Sequence, residues 1–312
     1  MKFFLAPMQG LTGYTVRNAF HHHFDYIDKY YTPFIPAAKR MNAKIKRDID
    51  PVNNDGITLI PQAMSIVADE VIDLHRQLVP YGYDEINVNL GCPSGTVVSK
   101  KRGSGILAYP DMLDSFLDEL YTKADFPVSI KTRVGFNDDE LWPKLIEIYS
   151  KYPISELTVH PRVQKDFYKN TPRMDDFALA MQKINPDKTT LCYNGDITDT
   201  NSFNALTDCF PDIDEIMIGR GLFANPALIA ELKGISMDKA ELRERLKNWH
   251  DEILSGYLSI FSGEKDAMFR MKEIWAYMHG LFPDSEKLWK KIKKCQTLND
   301  YRSIVRMAFD AF

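Results

Sequence analysis

Cys92, Lys131, His160 and Arg220 are the side chains of this chain whose types and positions best suit chemistry. Each closes or follows a short apolar run. Asn89 ends one such run, and Gly91-Cys92-Pro93 follow it. Lys131 and Arg133 close the next. His160 ends another, with Arg162 just beyond. Asn194-Gly195-Asp196 and Gly219-Arg220-Gly221 follow the last two. Near the N-terminus Pro7, Met8 and Gln9 follow the first run, and Gln62 ends the third. A thiol with a pKa near ~8.5 is mostly protonated at neutral pH and can act as a neutral acid. A lysine can hold the anionic edge of a reduced flavin, and a glutamine offers both donor and acceptor to such a ring. Glycines beside an arginine let backbone approach a phosphate. FMN is the cofactor that suits this set. Singly, each feature has a plainer reading. Lys131 could pair with a buried acid, His160 could be a satisfied core histidine, Cys92 a small hydrophobe, and Asn194-Gly195 a turn. Lys, His, Cys and Arg at successive run ends point instead to an enzyme.

The elements that must position these groups read as eight candidate strands, at 3–8, 26–31, 58–63, 85–90, 128–133, 156–161, 189–194 and 215–220. Most are short and rich in β-branched residues, as buried parallel strands are. Amphipathic stretches lie between them. Ser65 is expected to cap one helix, Pro110 to open another, and Asp138, Asp139 and Glu140 to occupy the first turn of a third. Strands alternating with helices over about 230 residues predict an α/β fold of (β/α)8 TIM-barrel type, whose active site lies at the C-terminal strand ends. An open doubly wound sheet is the runner-up, but it calls for a GxGxxG turn where only Gln9-Gly10-Leu11-Thr12-Gly13 stands. After Gly234 the strands stop. Helices are expected at 238–261, 265–281, 285–295 and 299–312, a small bundle. The chain therefore divides into 1–234, the barrel, and 235–312, the helical region.

Composition sets the outer bounds. With 45% hydrophobic and 26% charged residues over 312 positions, the chain reads as globular. No run approaches 18 apolar residues, the opening run meets Pro7 too soon for a signal peptide, and the four cysteines are scattered. A cytoplasmic protein, off the membrane and monomeric, is expected. His21-His22-His23 point in different directions and are read without a metal. The net charge of −4 counts against a wholly basic nucleic-acid binder. That charge is divided, however, with −6 over 1–234 and +2 over 235–312. Basic clusters stand at Lys39, Arg40, Lys44, Lys46 and Arg47, at Lys100, Lys101 and Arg102, and at Lys287, Lys290, Lys291, Lys293 and Lys294.

Six motifs in order carry a family resemblance. Ala6-Pro7-Met8-Gln9-Gly10-Leu11-Thr12, Asn89-Leu90-Gly91-Cys92-Pro93, Lys131-Thr132-Arg133-Val134-Gly135, His160-Pro161-Arg162, Asn194-Gly195-Asp196-Ile197 and Gly219-Arg220-Gly221 run collinearly. The chain resembles the tRNA-dihydrouridine synthases, FMN-dependent enzymes that reduce uridine in tRNA. The resemblance implies that Pro7, Met8 and Gln9 pack on the flavin and that Gln62 hydrogen-bonds its ring. It implies that Lys131 holds the ring's anionic edge with His160 beside it. Asn194, Gly195, Asp196, Gly219 and Arg220 would hold the phosphate end, and Asn89 and Arg162 the flavin or the uridine. Cys92 would protonate C5 after flavin N5 delivers hydride to C6, with NADPH as donor. Three positions depart from the family pattern. Gly13 stands where Asp is usual, Pro161 where Gly is usual, and Met64-Ser65 where a small residue and Gly are usual.

A uridine in folded RNA must be extruded at a cost of a few kcal/mol, which phosphate contacts must offset. Lys100, Lys101 and Arg102 are the nearest basic group to Cys92 and are expected to touch tRNA. The lysine face at 287–294 is a further RNA-holding candidate against the plain reading of a solvated face. Two other functions compete: an FMN barrel acting on a free pyrimidine, and a non-catalytic RNA-binding module.

Overall fold

A computed structural model describes residues 1–37 and 40–312, so Lys39 of the first basic cluster lies outside the described residues. Ten parallel strands are described: β1 (Lys2–Leu5), β2 (Lys29–Tyr31), β3 (Ile35–Pro36), β4 (Leu59–Ile60), β5 (Gln62–Met64), β6 (Ile86–Leu90), β7 (Val128–Gly135), β8 (Glu156–Val163), β9 (Thr190–Tyr193) and β10 (Glu215–Ile218). They pair in the order β3-β5-β6-β7-β8-β9-β10-β1-β2-β4. The chain itself joins the two ends, because β4 runs into β5 across Pro61 and β2 into β3 across residues 32–34. The result is a barrel of eight staves, two of them broken. Pro61 has no N–H to give the ladder, and the Thr32 hydroxyl accepts from the Gln62 amide at 2.9 Å across the gap. The sequence reading found all eight staves but not Ile35–Pro36, which is too short to show a period.

Helices connect the staves: α1 (Tyr14–His23), α2 (Ala43–Ile49), α3 (Ala68–Leu78), α4 (Gly95–Val98), α5 (Pro110–Lys123), α6 (Trp142–Ser150), α7 (Met174–Lys183), α8 (Thr200–Cys209), α9 (Arg220–Ala224) and α10 (Leu228–Leu232). Pro110 opens α5 as expected. Two expected starts move. Ser65 does not cap α3, because its hydroxyl accepts from the Val67 amide at 3.1 Å and donates to Glu70. That local turn competes with the helix, which begins at Ala68. Asp138, Asp139 and Glu140 lie in the turn before α6, not in its first turn. Pro143 sets the helical start beside Trp142.

Alternation along each strand sorts the barrel into an outer and an inner core. Outward residues such as Leu5, Val88, Ile130 and Leu157 pack against the helices. Inward, Phe4, Ala6, Tyr31, Ile60, Cys192 and Met217 form a separate apolar plug. Full burial of such large side chains is worth about 1.5–3 kcal/mol each. Toward the C-terminal strand ends the inward face turns polar, with Asn87 and Asn89 on β6, Lys131 and Arg133 on β7, and His160 and Arg162 on β8. The interior is therefore apolar below and polar above.

Four helices follow: α11 (Lys239–Ile260), α12 (Glu264–Met278), α13 (Ser285–Lys294) and α14 (Leu298–Ala311). Asp238 caps α11 by accepting from the Glu241 amide at 2.8 Å, and Thr297 caps α14 from the Asp300 amide at 3.1 Å. Trp249, Trp275, Tyr301 and Phe309 are buried among them. α11 lies close on α1, since a Cβ at Gly256 would come within 2.2 Å of Thr15 Cγ2. On α13, Leu288 and Ile292 face inward, while Lys287, Lys290, Lys291, Lys293 and Lys294 are exposed. Among the described residues no helix is long and apolar enough to cross a membrane, and no cluster of His, Cys, Asp or Glu could hold a metal ion.

Candidate active site

The C-terminal strand ends converge on a cavity of about 880 Å³, within the ~300–1,000 Å³ usual for ligand sites. Pro7, Met8 and Gln9 line one wall, after β1. Asn89 and Cys92 come from the end of β6, Lys131 from β7 and His160 from β8. Asn194, Gly195 and Asp196 follow β9, and Gly219 and Arg220 follow β10. Twelve residues singled out in the sequence thus meet on one surface.

The Cys92 loop is held from both sides. The Asn89 side-chain carbonyl accepts from the Gly91 and Cys92 amides at 3.1 and 2.8 Å. The Cys92 carbonyl accepts from the Ser104 amide at 3.1 Å and the Ser104 hydroxyl at 2.8 Å. Gly103 makes that contact possible. Its φ is 54°, and a Cβ there would lie 2.7 Å from the Cys92 carbonyl. The Cys92 thiol is half-buried. Burial pushes its pKa up, against the Ser94 amide, Arg133 and Lys131, so it is a neutral thiol at pH 7.

Among the described residues Lys131 is paired with no acid. Its ammonium donates to the Asn194 side-chain carbonyl, while the Asn194 amide donates to the Met217 carbonyl at 2.7 Å. Burial, then the neighbouring Arg133, lowers the Lys131 pKa to about 7. Arg133 donates only to backbone carbonyls, those of Gly91, Val163 and Phe167, at 3.0, 2.9 and 2.7 Å. Among the described residues neither cation meets a carboxylate, and the cavity wall is electropositive. His160 is held well below its ordinary pKa by burial and by Arg133, Lys131, Arg162 and Arg220. Arg162 Nη1 lies 3.1 Å from His160 Nε2. Since a guanidinium only donates, Nε2 is the acceptor and Nδ1 carries the proton.

Asp196 joins Arg162 and Arg220, accepting from Arg162 Nη1 at 3.0 Å and from Arg220 Nη2 at 2.5 Å. Burial opposes its ionisation, but the two guanidiniums outweigh it and hold the carboxyl below the usual range. Backbone closes in around this end. A Cβ at Gly195 would lie 2.0 Å from the Tyr193 hydroxyl, and one at Gly221 would lie 2.1 Å from the Ile197 carbonyl.

Five expected residues stand elsewhere. Gln62 is completely buried beneath the cavity, where its carbonyl accepts from Asn89 at 2.7 Å and its amide donates to Asn87 at 2.8 Å. It shapes the Cys92 loop through Asn89 rather than facing the cavity. Arg162 is also buried, and it donates to the carbonyls of Lys169 and Asn170 as well as to Asp196. Its guanidinium is taken up by these scaffold partners, and it does not line the cavity. Lys100, Lys101 and Arg102 lie outside the cavity. Arg102 pairs with Glu70 at 3.2 Å, and Lys101 covers the Tyr109 ring at 4.3 Å. Lys100 and Lys101 remain exposed.

Other residues reach the cavity without having been given a role there: Arg133, Phe34, Phe167, Tyr168, Ala276 and Tyr277. Arg133 was legible, because i and i+2 of a strand share a face with Lys131. Tyr277 was not, because it comes from α12. Two departures from the family pattern find their reason here. Gly13 leaves room for Asp48, which accepts from the Tyr14 amide at 2.8 Å and pairs with Arg17 at 3.3 Å. A Cβ at position 13 would stand 3.3 Å from that carboxylate. Pro161 sits where the β7–β8 register shifts, a place where a missing N–H costs no ladder bond.

Comparison with known proteins adds three findings. A solved variant of NCR from Zymomonas mobilis superposes with a TM-score of 0.52 at 12% identity, over 80% of this chain and 90% of that one. Morphinone reductase does so with 0.52 at 11% identity, over 77% and 88%. At such identity the likeness concerns the fold alone. Among curated relatives, tRNA-dihydrouridine synthase B of Pasteurella multocida is 26% identical over 296 residues, 91% of this chain and 85% of that protein. A Staphylococcus aureus protein named "Probable tRNA-dihydrouridine synthase" is 30% identical over 238 residues, 73% of this chain and 68% of that protein. The family model of the dihydrouridine synthases (Dus) matches residues 4–310. That match takes in the barrel, its mouth and the helices after it, so this chain belongs to the dihydrouridine synthase family.

Proposed function

We propose that this protein reduces the C5–C6 double bond of a uridine in tRNA to 5,6-dihydrouridine, with FMN as cofactor and NADPH as electron donor. The observation that carries the reading is the neutral Cys92 thiol facing the same cavity as Lys131 and Arg133, two basic groups that meet no carboxylate among the described residues. The cavity suits FMN on its own chemistry. Lys131 offers charge to an anionic ring edge, Arg220 offers charge to a phosphate, and the close-packed glycines leave no side chains in the way. Pro7 and Met8 supply an apolar wall, and Asn194 orients the lysine. When bound, FMN would supply the hydride that uracil C6 receives.

The chain's own residues do the rest. Cys92 donates its thiol proton to C5, and the thiolate regains a proton from water. A thiolate at rest would be the wrong species, and burial of Cys92 prevents it. Neutral His160, its Nδ1 protonated, can donate to an electron-rich carbonyl without adding a further cation. The barrel, 1–234, is the catalytic part, and the helices at 235–312 help hold tRNA. Two features support a part for the helices: the exposed lysines of α13 outside the cavity, and Tyr277, with which α12 reaches its mouth.

The test is nucleoside mass analysis of unmodified tRNA incubated with the holoenzyme and NADPH. A two-hydrogen gain on uridine is expected from the wild type and not from Cys92→Ala. A gain on free uracil or orotate but none on tRNA would replace this reading with a small-molecule reductase.

A further inference from the structure

The segment from Gln164 to Asn170, between β8 and α7, carries two exposed aromatic rings at the cavity mouth. Phe167 is 47% exposed and Tyr168 54%, and both line the cavity. Phe167 adopts φ 51° and ψ −95°, a conformation that a side chain with a Cβ avoids. The fold enforces it. The Phe167 carbonyl is held by Arg133 at 2.7 Å, and its amide donates to the Gln164 carbonyl at 3.0 Å. Beyond it, Arg162 holds the carbonyls of Lys169 and Asn170. Before it, Asp166 accepts from the Val163 amide at 3.1 Å and from Asn170 at 2.6 Å. Two buried guanidiniums thus fix a strained backbone that leaves a large apolar ring in water. Tyr168, by contrast, is engaged on the inner side, with Arg220 over its ring at 4.7 Å.

We infer that Phe167 is a stacking residue for a nucleobase flanking the extruded uridine. The inference rests on the proposed action on RNA. The ring has no hydrogen-bonding group, so what it offers a partner is an apolar π-face. Every base presents such a face. Exposed Lys165 and Lys169 stand on either side of the ring in sequence, placed for the phosphates that accompany a base. Phe167 is therefore an affinity residue for the nucleic acid and takes no part in proton or hydride transfer.

The experiment compares wild type, Phe167→Gly and Phe167→Trp as holoenzymes binding unmodified tRNA, without NADPH. Glycine suits the positive φ, so Phe167→Gly should melt no lower than the wild type. Its Kd for tRNA should rise roughly tenfold with the salt slope unchanged, and Phe167→Trp should restore affinity. Unchanged affinity in Phe167→Gly would overturn the inference, as would a loss that tryptophan fails to repair. A wild type that forms no dihydrouridine, yet binds tRNA in a Phe167-dependent way, would remove the proposed reaction and keep this contact.

Discussion

Under the proposed function, Lys131 would tie the binding of FMN to pH. Its ammonium is buried, next to Arg133, and its pKa is lowered to about 7. An anionic ligand beside it would raise that pKa again, so binding takes up a proton wherever free Lys131 is neutral. Affinity is then fully present below about pH 7 and declines as pH rises through that value, approaching tenfold per pH unit. Anaerobic titration of apoprotein with reduced FMN, whose ring is anionic, from about pH 7 to 9 checks the sign. A flat profile would remove Lys131 from the ring's anionic edge. Lys131→Met is expected to bind weakly and without this pH dependence. Asp196 acts in the opposite sense, since it partly neutralises Arg162 and Arg220. Asp196→Asn is expected to loosen both arginines and melt lower, a change that calorimetry would register.

At the scale of elements, β5, β6 and β7 are tied by a chain of amides with one direction. Cys92 and Gly91 donate to Asn89, Asn89 to Gln62 at 2.7 Å, Gln62 to Asn87 at 2.8 Å, and Asn87 to Ser129 at 3.0 Å. The backbone amides settle the orientation of Asn89, and every later amide follows from it. All four side chains are buried. Asn87→Leu removes the partner of the Gln62 side-chain N–H and one partner of the Ser129 hydroxyl, at about 1–3 kcal/mol for each group left unsatisfied. It should also free the Cys92 loop, visible as an altered rate of Cys92 alkylation. Asn87→Asp can still accept from Gln62 and from the Ser129 hydroxyl, so it should restore the wild-type rate. Equal alkylation rates in all three proteins would mean that the chain of amides does not position Cys92.

Over the whole molecule, the helical region and the barrel share the site. α12 delivers Ala276 and Tyr277 to the cavity, and the docking of α11 on α1 fixes where they stand. That docking depends on Gly256 facing Thr15. Gly256→Ala forces a Cβ to within 2.2 Å of Thr15 Cγ2 and should destabilise the protein by about 1–3 kcal/mol. Thr15→Ala should recover part of the loss in a double-mutant cycle read by chemical denaturation; strict additivity would contradict the contact. Charge also acts at this scale. Lys100 and Lys101 are exposed outside the cavity, whereas Arg102 is paired with Glu70. Neutralising the two lysines should weaken tRNA binding and flatten its salt dependence, while Arg102→Gln should change the slope less. Equal slopes in all variants would place the RNA elsewhere.

Much of this molecule was decided locally and could be read from the chain. The eight staves were legible because buried parallel strands are short β-branched runs, and the last four helices because their caps and apolar periods are local. Twelve cavity residues were legible because a barrel puts its chemistry at strand ends, so position in the chain stands in for position in space. Tertiary structure alone decided the rest. Gln62 and Arg162 have the right types at the right strand ends, yet hydrogen bonds to Asn87, Asn89, Asp196 and the backbone of 169–170 turn them into scaffold. Tyr277 reaches the cavity only because α11 and α12 dock where they do. The conformation of Phe167 comes from Arg133 and Arg162, on β7 and β8, gripping the loop from below. Periodicity records which face of an element a residue occupies. It does not record which buried polar groups will satisfy one another, because that depends on contacts between distant segments.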